Sequence, residues 1–447
     1  MTKLAASHKL KSHLLKISNA VKENSSVTVY GTINRITGMK LEATGLSVPI
    51  GTICKILISD TIAVTAEVVG FSDTATFLMA TENMSGITRG TPVIPVPGAH
   101  NASVGPTLLG RVLDASGNPI DTGIPLVTNE YYSLAGKPIN PLARKRISEP
   151  LDVGIRAINA LLTVSKGQRL GIFAGSGVGK SILLGMMTRF TKADVIVVGL
   201  IGERSREVKE FIEENLGSQG LERSVVVASP ADTSPLLRVN GAALATTIAE
   251  YYRDQGKDVL LIVDSLTRFA QAQREISLSV GEMPATKGFT PSVFASMAQL
   301  VERSGNGTNG QGSITAFYTV LMEGDDHNDP IADHARSLLD GHIFLSRQLA
   351  DSGHYPAIDI EKSISRVMPA VVQQTQLIAA NKFKKYYSAY SQHRDLINVG
   401  MYQHGSDKII DEAIKYKDQL DQFLLQGVHD SADMNGSVEK LFKIFSS

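Results

Sequence analysis

The densest chemical signal in the chain is Arg169-Leu-Gly-Ile-Phe-Ala-Gly-Ser-Gly-Val-Gly-Lys-Ser181: an apolar strand, a glycine-rich loop, then a Lys-Ser pair that opens a helix. In the loop Gly175-Ser176-Gly177-Val178-Gly179, the three glycines let the backbone curl so that successive N–H groups face one anion. The helix starting near Lys180 adds the positive end of its dipole, and the Lys180 ammonium reaches β- and γ-phosphates. The Ser181 hydroxyl is placed to ligate a Mg²⁺ that bridges the same phosphates. The strict pattern opens on glycine, whereas this chain has Ala174 there. Alanine fits if its φ is negative. These residue types imply a bound nucleoside triphosphate.

Binding alone is not hydrolysis, and three further stretches supply what cleavage needs. Val259-Leu-Leu-Ile-Val-Asp264 is an apolar strand ending in a carboxylate. On a parallel sheet beside the loop strand, Asp264 sits at the carboxyl edge and holds the water shell of the metal. Gly202-Glu-Arg204 directly follows the apolar run Val195–Ile201. A carboxylate at that strand end can orient and polarise an attacking water, which makes Glu203 the candidate general base, with Arg204 near the γ-phosphate. Ser363-Ile-Ser-Arg366 offers a candidate arginine finger, because a planar, always-ionised guanidinium matches charge spread over phosphoryl oxygens. Spacing leaves open whether Arg366 acts in its own subunit or in a neighbour's. Glu323-Gly-Asp-Asp326 with His327 and His334 lacks an i, i+4 histidine pair and reads as a solvated loop rather than a metal site. Arg144-Lys-Arg146 reads as a packing or salt-bridge edge.

These residues need a sheet to carry them. From about residue 98 to 370, apolar strands alternate with helical patterns, which predicts a mostly parallel sheet covered by helices. Strands are expected at 168–174, 195–201, 224–228, 259–264, 313–321 and 341–346. Asp114-Ala-Ser-Gly-Asn-Pro119 marks a turn between two extended pieces. Before the sheet, short β-branched segments such as Ile53-Cys-Lys-Ile-Leu-Ile and Ile62-Ala-Val-Thr-Ala-Glu-Val-Val predict a small closed β-barrel over 25–97. Its few aromatics and sparse basic residues point to a packing or ring-forming module and away from nucleic acid. The tail from 371 to 447 is helical in texture. Residues 1–24 place Leu4, Leu10, Leu14, Leu15, Ile17 and Val21 against five lysines, the pattern of an amphipathic helix with a basic face. Such a helix can dock on a partner, lie on an anionic membrane surface as a peripheral contact, or remain a solvated terminus.

Composition narrows the function classes. Among 447 residues, Lys+Arg and Asp+Glu both number 44, so no global field favours nucleic acid or membrane. The one cysteine, Cys54, excludes an internal disulfide framework and fits a reducing cytoplasm. The longest apolar run, Val195–Ile201, is too short to span a bilayer, so no transmembrane segment is expected.

Taken together, the loop Gly175–Ser181, Gly202-Glu-Arg204, Leu260-Leu-Ile-Val-Asp-Ser-Leu-Thr-Arg268 and His354-Tyr-Pro-Ala-Ile-Asp359 resemble the catalytic subunits of rotary ATP synthases. Within that superfamily the chain most resembles the export ATPases of bacterial type III secretion systems. Glu323-Gly-Asp-Asp-His-Asn-Asp-Pro-Ile331, Ser352–Glu361 and Gly400-Met-Tyr-Gln-His-Gly-Ser-Asp407 point to the flagellar branch. The virulence branch and a nucleic-acid-dependent hexameric motor are the alternatives. The resemblance implies an α/β fold: a RecA-like P-loop ATPase core with an N-terminal small β-barrel and a C-terminal helical domain, assembled as a homohexamer. It implies ATP and Mg²⁺ as ligands, Glu203 as base and Arg366 reaching into the adjacent subunit. It also places Arg268 near the γ-phosphate and Tyr355 against adenine. The partners it implies are a regulatory stator-like protein at the N-terminal helix, a central-stalk protein, export chaperones and an export gate. The implied location is the cytoplasmic face of the inner membrane.

Overall fold

The computed structural model describes residues 30–96, 100–121, 123–128, 130–322, 324, 326 and 328–446. The helix expected over 1–24 lies outside the described residues, as do Glu323, Asp325 and His327 of the acidic loop. The chain divides into two compact units, Met1–Ala99 and His100–Ser447.

In the first unit six antiparallel strands close into a barrel. They are β1 (Gly31–Thr37), β2 (Lys40–Thr44), β3 (Ile53–Leu57), β4 (Ala63–Phe71), β5 (Thr76–Ala80) and β6 (Pro92–Pro95), in the order β1-β2-β5-β4-β3-β6 with β6 returning to β1. Alternation decides which side chains fill it: on β3, Cys54 and Ile56 are buried while Lys55 between them is exposed. Ile33, Leu41, Val64, Val68, Leu78 and Val93 complete the interior. Burial pushes the Cys54 thiol up to about 11, so it packs as a small hydrophobe rather than reacting.

The second unit is built on one sheet. Its strands are β8 (Arg111–Asp114), β10 (Arg169–Ala174), β11 (Val195–Ile201), β12 (Ser224–Ser229), β13 (Asp258–Asp264), β15 (Ser313–Leu321), β16 (Gly341–Leu345) and β17 (Ile358–Ser365), with the short β14 (Gly305–Asn306) beside β15. The order is β17-β16-β10-β15-β13-β11-β12-β8, parallel except for β17 and β14. A separate antiparallel pair joins β7 (Asn101–Val104) to β9 (Glu130–Ser133). The expected strands therefore form, within a residue at either end. One order is different: β15 lies between β10 and β13, so the Asp264 strand is not the immediate neighbour of the loop strand. At the expected turn Asp114 Oδ1 accepts from the backbone N–H groups of Ser116 and Asn118. Arg144 and Lys145 are spent on carbonyl oxygens of Glu302, Ser304 and Gln311, a packing edge.

Because both faces of the sheet are covered, its inner strands such as β11 and β13 are apolar along most of their length, whereas the edge strand β17 exposes Glu361 and Lys362. Along β11, Ile196, Val198 and Leu200 enter one core and Val195, Val197 and Ile201 the other. The second core holds α2 (Pro235–Asp254), α3 (Leu266–Ser279) and α4 (Pro291–Glu302). The first holds α1 (Lys180–Phe190) together with α5 (Gln374–Asn398), α6 (Lys408–Leu424) and α7 (Met434–Ile444). Each Leu- or Phe-sized side chain buried there contributes roughly 1.5–3 kcal/mol. Tyr386 stacks on Tyr416 at 5.8 Å, joining α5 to α6. Asp407 and Asp433 cap α6 and α7 by accepting from Ile409 N and Gly436 N. Among the described residues no helix is long and apolar enough to cross a membrane.

Candidate active site

The cradle forms where β10 ends. Ala174 is the last residue of that strand and fully buried, and among the described residues only Lys287 is a non-glycine with positive φ, so alanine fits the relaxed pattern. Gly177 and Gly179 take φ of 79° and 88°, values that favour glycine, and Lys180 opens α1 immediately after. The Arg347 guanidinium, itself on the cleft wall, donates to Ser176 O at 3.1 Å and braces the loop. A Cβ on Gly179 would lie 3.3 Å from the Tyr355 ring, which shows how closely that ring leans on the loop. The whole opens as a cleft of about 820 Å³.

At its base one ammonium meets two carboxylates. Lys180 Nζ donates to Asp264 Oδ1 in an ion pair and to Glu203 Oε1 at 3.3 Å. All three side chains are largely withdrawn from water, with relative exposures of 12%, 5% and 14%. Thr319 Oγ1 donates to Asp264 Oδ1 at 2.6 Å and fixes that carboxylate. Burial works against the Lys180 charge, but Asp264 and Glu203 outweigh it and hold the ammonium above its ordinary value. Burial and the charge of Asp264 push the Glu203 carboxyl up to about 8, against the pull of Lys180. Gly202 makes this turn: its φ is 71°, and a Cβ there would come within 2.8 Å of Arg268 Cβ.

The expected residues fall into two groups. Gly175, Ser176, Gly177, Gly179, Lys180, Ser181, Glu203, Arg204, Arg268 and Tyr355 line the cleft, while Val178 is buried beneath the loop. Arg204 stands at the rim, its side chain 85% exposed and 3.9 Å from Glu207. Arg268 Nη1 donates to Gln271 Oε1 at 2.8 Å. Arg366 is elsewhere. Its backbone N–H bonds Asp340 O, and the Asp340 N–H bonds Arg169 O, which sets it level with the first residue of β10. Six residues of strand, roughly 20 Å, separate that level from the loop. Its guanidinium is exposed and donates to Arg336 O at 3.1 Å. Asp326 of the acidic loop pairs with Lys287, whereas His334, expected in that loop, stands in the helix Pro330–Leu338 with its Nε2 3.1 Å from Phe294 O.

Sequence reasoning missed Thr319 and Arg347. Thr319 stands in the strand expected at 313–321, and the β13–β15 register, with Val263 opposite Tyr318, brings it beside Asp264. A buried hydroxyl near the end of an apolar strand was the available signal. For the metal, Ser181 and Asp264 offer the hard oxygen donors that Mg²⁺ takes. Among the described residues no group of three or more His, Cys, Asp or Glu side chains forms a cage; a cation held by these two residues would need further ligands such as phosphate and water.

Comparison with known proteins shows the family. The ATP synthase alpha/beta family, nucleotide-binding domain, matches residues 154–365, and the T3SS EscN ATPase C-terminal domain matches 372–443. The flagellum-specific ATP synthase of Pseudomonas aeruginosa is 55% identical over 432 residues, 96% of each chain. That of Salmonella typhimurium is 56% identical over 431 residues, 94% of each. The structure of the assembled ATPase EscN from the enteropathogenic E. coli type III secretion system superposes with a TM-score of 0.88 at 44% identity, covering 93% of this chain and 99% of that one. EscN in complex with its central stalk EscO gives 0.85 at 43% identity over the same 93% and 99%. The small barrel, the nucleotide-binding α/β core and the helical C-terminal region thus follow the expected fold, and the chain belongs to the flagellum-specific ATP synthase family, ATP-hydrolysing enzymes of type III protein export.

Proposed function

We propose that this chain hydrolyses MgATP at the Lys180–Glu203–Asp264 cluster and that a ring of six copies couples this to export of flagellar proteins. The observation that carries the reading is the Lys180 ammonium held between two buried carboxylates directly behind the glycine loop. Incoming β- and γ-phosphates exchange places with Glu203 as partners of Lys180, which leaves Glu203 free to face water. The water oxygen bonds the γ-phosphorus, the bond to the β–γ bridging oxygen breaks, and the water proton passes to Glu203; ADP and phosphate result. Ser181 and Asp264 would hold Mg²⁺, directly or through its waters, and the ion when bound would supply charge neutralisation at the phosphates. Arg204 from the rim and Arg268 from the cleft wall meet the phosphates, and Tyr355 stacks on the adenine.

Arg366 serves a neighbour in this reading. The gap of roughly 20 Å between its level and the loop exceeds the reach of an arginine side chain, which supports action in trans. The EscN assembly and its stalk complex support a homohexamer around a central-stalk protein. A stator-like regulator at residues 1–24, export chaperones and the export gate complete the partners, at the cytoplasmic face of the inner membrane. A virulence secretion role is the second reading, favoured by the EscN likeness, and the higher identity to flagellar relatives argues against it.

Four outcomes follow. Because the Glu203 carboxyl is raised to about 8, it is protonated below that pH and ionised above it. For a base, kcat/KM therefore climbs about tenfold per pH unit and levels off above that value. Glu203→Gln abolishes the climb, keeps ATP binding by calorimetry and lowers turnover by about 10²–10⁴-fold; surviving hydrolysis would place the base elsewhere. Arg366→Ala lowers turnover about 10³-fold or more, and mixing it with Lys180→Ala restores activity, since each supplies what the other lacks. No gain on mixing would exclude the borrowed guanidinium. A strain carrying Lys180→Ala neither swims nor builds filaments; normal swimming with lost effector secretion would favour the virulence reading.

A further inference from the structure

Tyr355 is the aromatic of the cleft, yet a residue outside the cleft holds its backbone. Gln426, just past the end of α6, is 6% exposed and donates its backbone N–H to Tyr355 O at 3.0 Å. Its side-chain amide is fully used: Nε2 donates to Gly154 O and Asp430 O, each at 2.8 Å, and Oε1 accepts from Arg156 N at 2.8 Å. Two donors and one acceptor thus meet three backbone groups in a buried place, where an unpaired amide is costly. The platform beneath is stiff. Gly154 has a φ of 74°, and a Cβ there would fall 2.1 Å from Cβ of Phe190, the last residue of the phosphate-loop helix. Arg156 Nη1 also donates to the carbonyls of Gln422, Phe423 and Leu425, closing the open end of α6.

We infer that Gln426 is a positioning residue for the nucleotide base: it sets where the Tyr355 ring stands, so the C-terminal helical region governs base affinity without touching the ligand. The inference rests on the stacking role proposed for Tyr355. It separates two parts of the substrate. The phosphates are held by the loop, to which Gln426 makes no bond, and the base by a ring whose carbonyl Gln426 anchors.

The test uses the full-length protein, with ATP and, as an inhibitor lacking a base, inorganic tripolyphosphate. Gln426→Met keeps length and volume but loses the three side-chain bonds. It should raise KM for ATP roughly tenfold, leave kcat within about twofold and leave tripolyphosphate inhibition unchanged. Tyr355→Ala should also raise KM for ATP and leave tripolyphosphate inhibition unchanged, and the double variant should be no worse than Tyr355→Ala. Equal weakening of ATP and tripolyphosphate, or additive single effects, would overturn the inference. A raised KM in Tyr355→Ala with no change in Gln426→Met overturns it alone, whereas an unchanged KM in Tyr355→Ala removes the stacking role first. If Gln426→Met yields no soluble protein, Gln426→Glu keeps the volume and the acceptor for Arg156. A rise in KM for ATP alone then supports the inference, because the new carboxylate oxygen faces the Gly154 and Asp430 carbonyls without a proton to donate, and a flat KM overturns it.

Discussion

An ammonium placed between two carboxylates, away from water, is the interaction on which the core depends. Asp264 and Glu203 sit at the ends of neighbouring parallel strands, β13 and β11, where their charges would repel in a poorly hydrated space. Lys180 offsets part of that repulsion, the remainder keeping the Glu203 carboxyl raised, and it can do so only because the loop after β10 delivers α1 to the same edge of the sheet. A parallel sheet brings all its carboxyl ends to one side, so three remote stretches of chain converge without any being long. Thr319 then settles Asp264 from β15, the strand that separates the loop strand from the carboxylate strand.

The parts that could be read from sequence share a physical reason. Strands covered on both faces become unbroken apolar runs, and Val195–Ile201 or Val259–Val263 announces itself for that reason. The phosphate loop is legible because its chemistry is local: three glycines, a lysine and a serine act within one turn of chain. What depended on register between distant segments was not legible. Thr319 becomes a partner of Asp264 only through the β13–β15 pairing, and Arg347 meets Ser176 across 171 positions of chain. Strand order is likewise a tertiary property, so the insertion of β15 beside β10 leaves no local trace. Arg204 shows the opposite limit: adjacent to Glu203 in sequence, it nevertheless turns outward, because Glu203 takes the inward side of the turn.

The alternation along each strand has a wider effect. Residues of one parity pack against α2, α3 and α4, and those of the other against α1 and the three C-terminal helices. The helix that carries the phosphate-binding lysine therefore shares one continuous apolar core with the C-terminal region. Interiors packed at crystal-like density transmit displacement rather than absorb it, and Phe383 of α5 and Leu420 of α6 lie in the same core as the buried face of α1.

Arg366 stands at the opposite end of the strands from the phosphate loop. Under the proposed role in trans, every copy carries one acceptor and one donor that do not coincide, so copies join head to tail. A linear array of such copies always ends in one cleft without a donor and one donor without a cleft. Only a closed circle leaves neither over, which makes completeness itself a signal: the last subunit to arrive completes two sites at once, its own and its neighbour's.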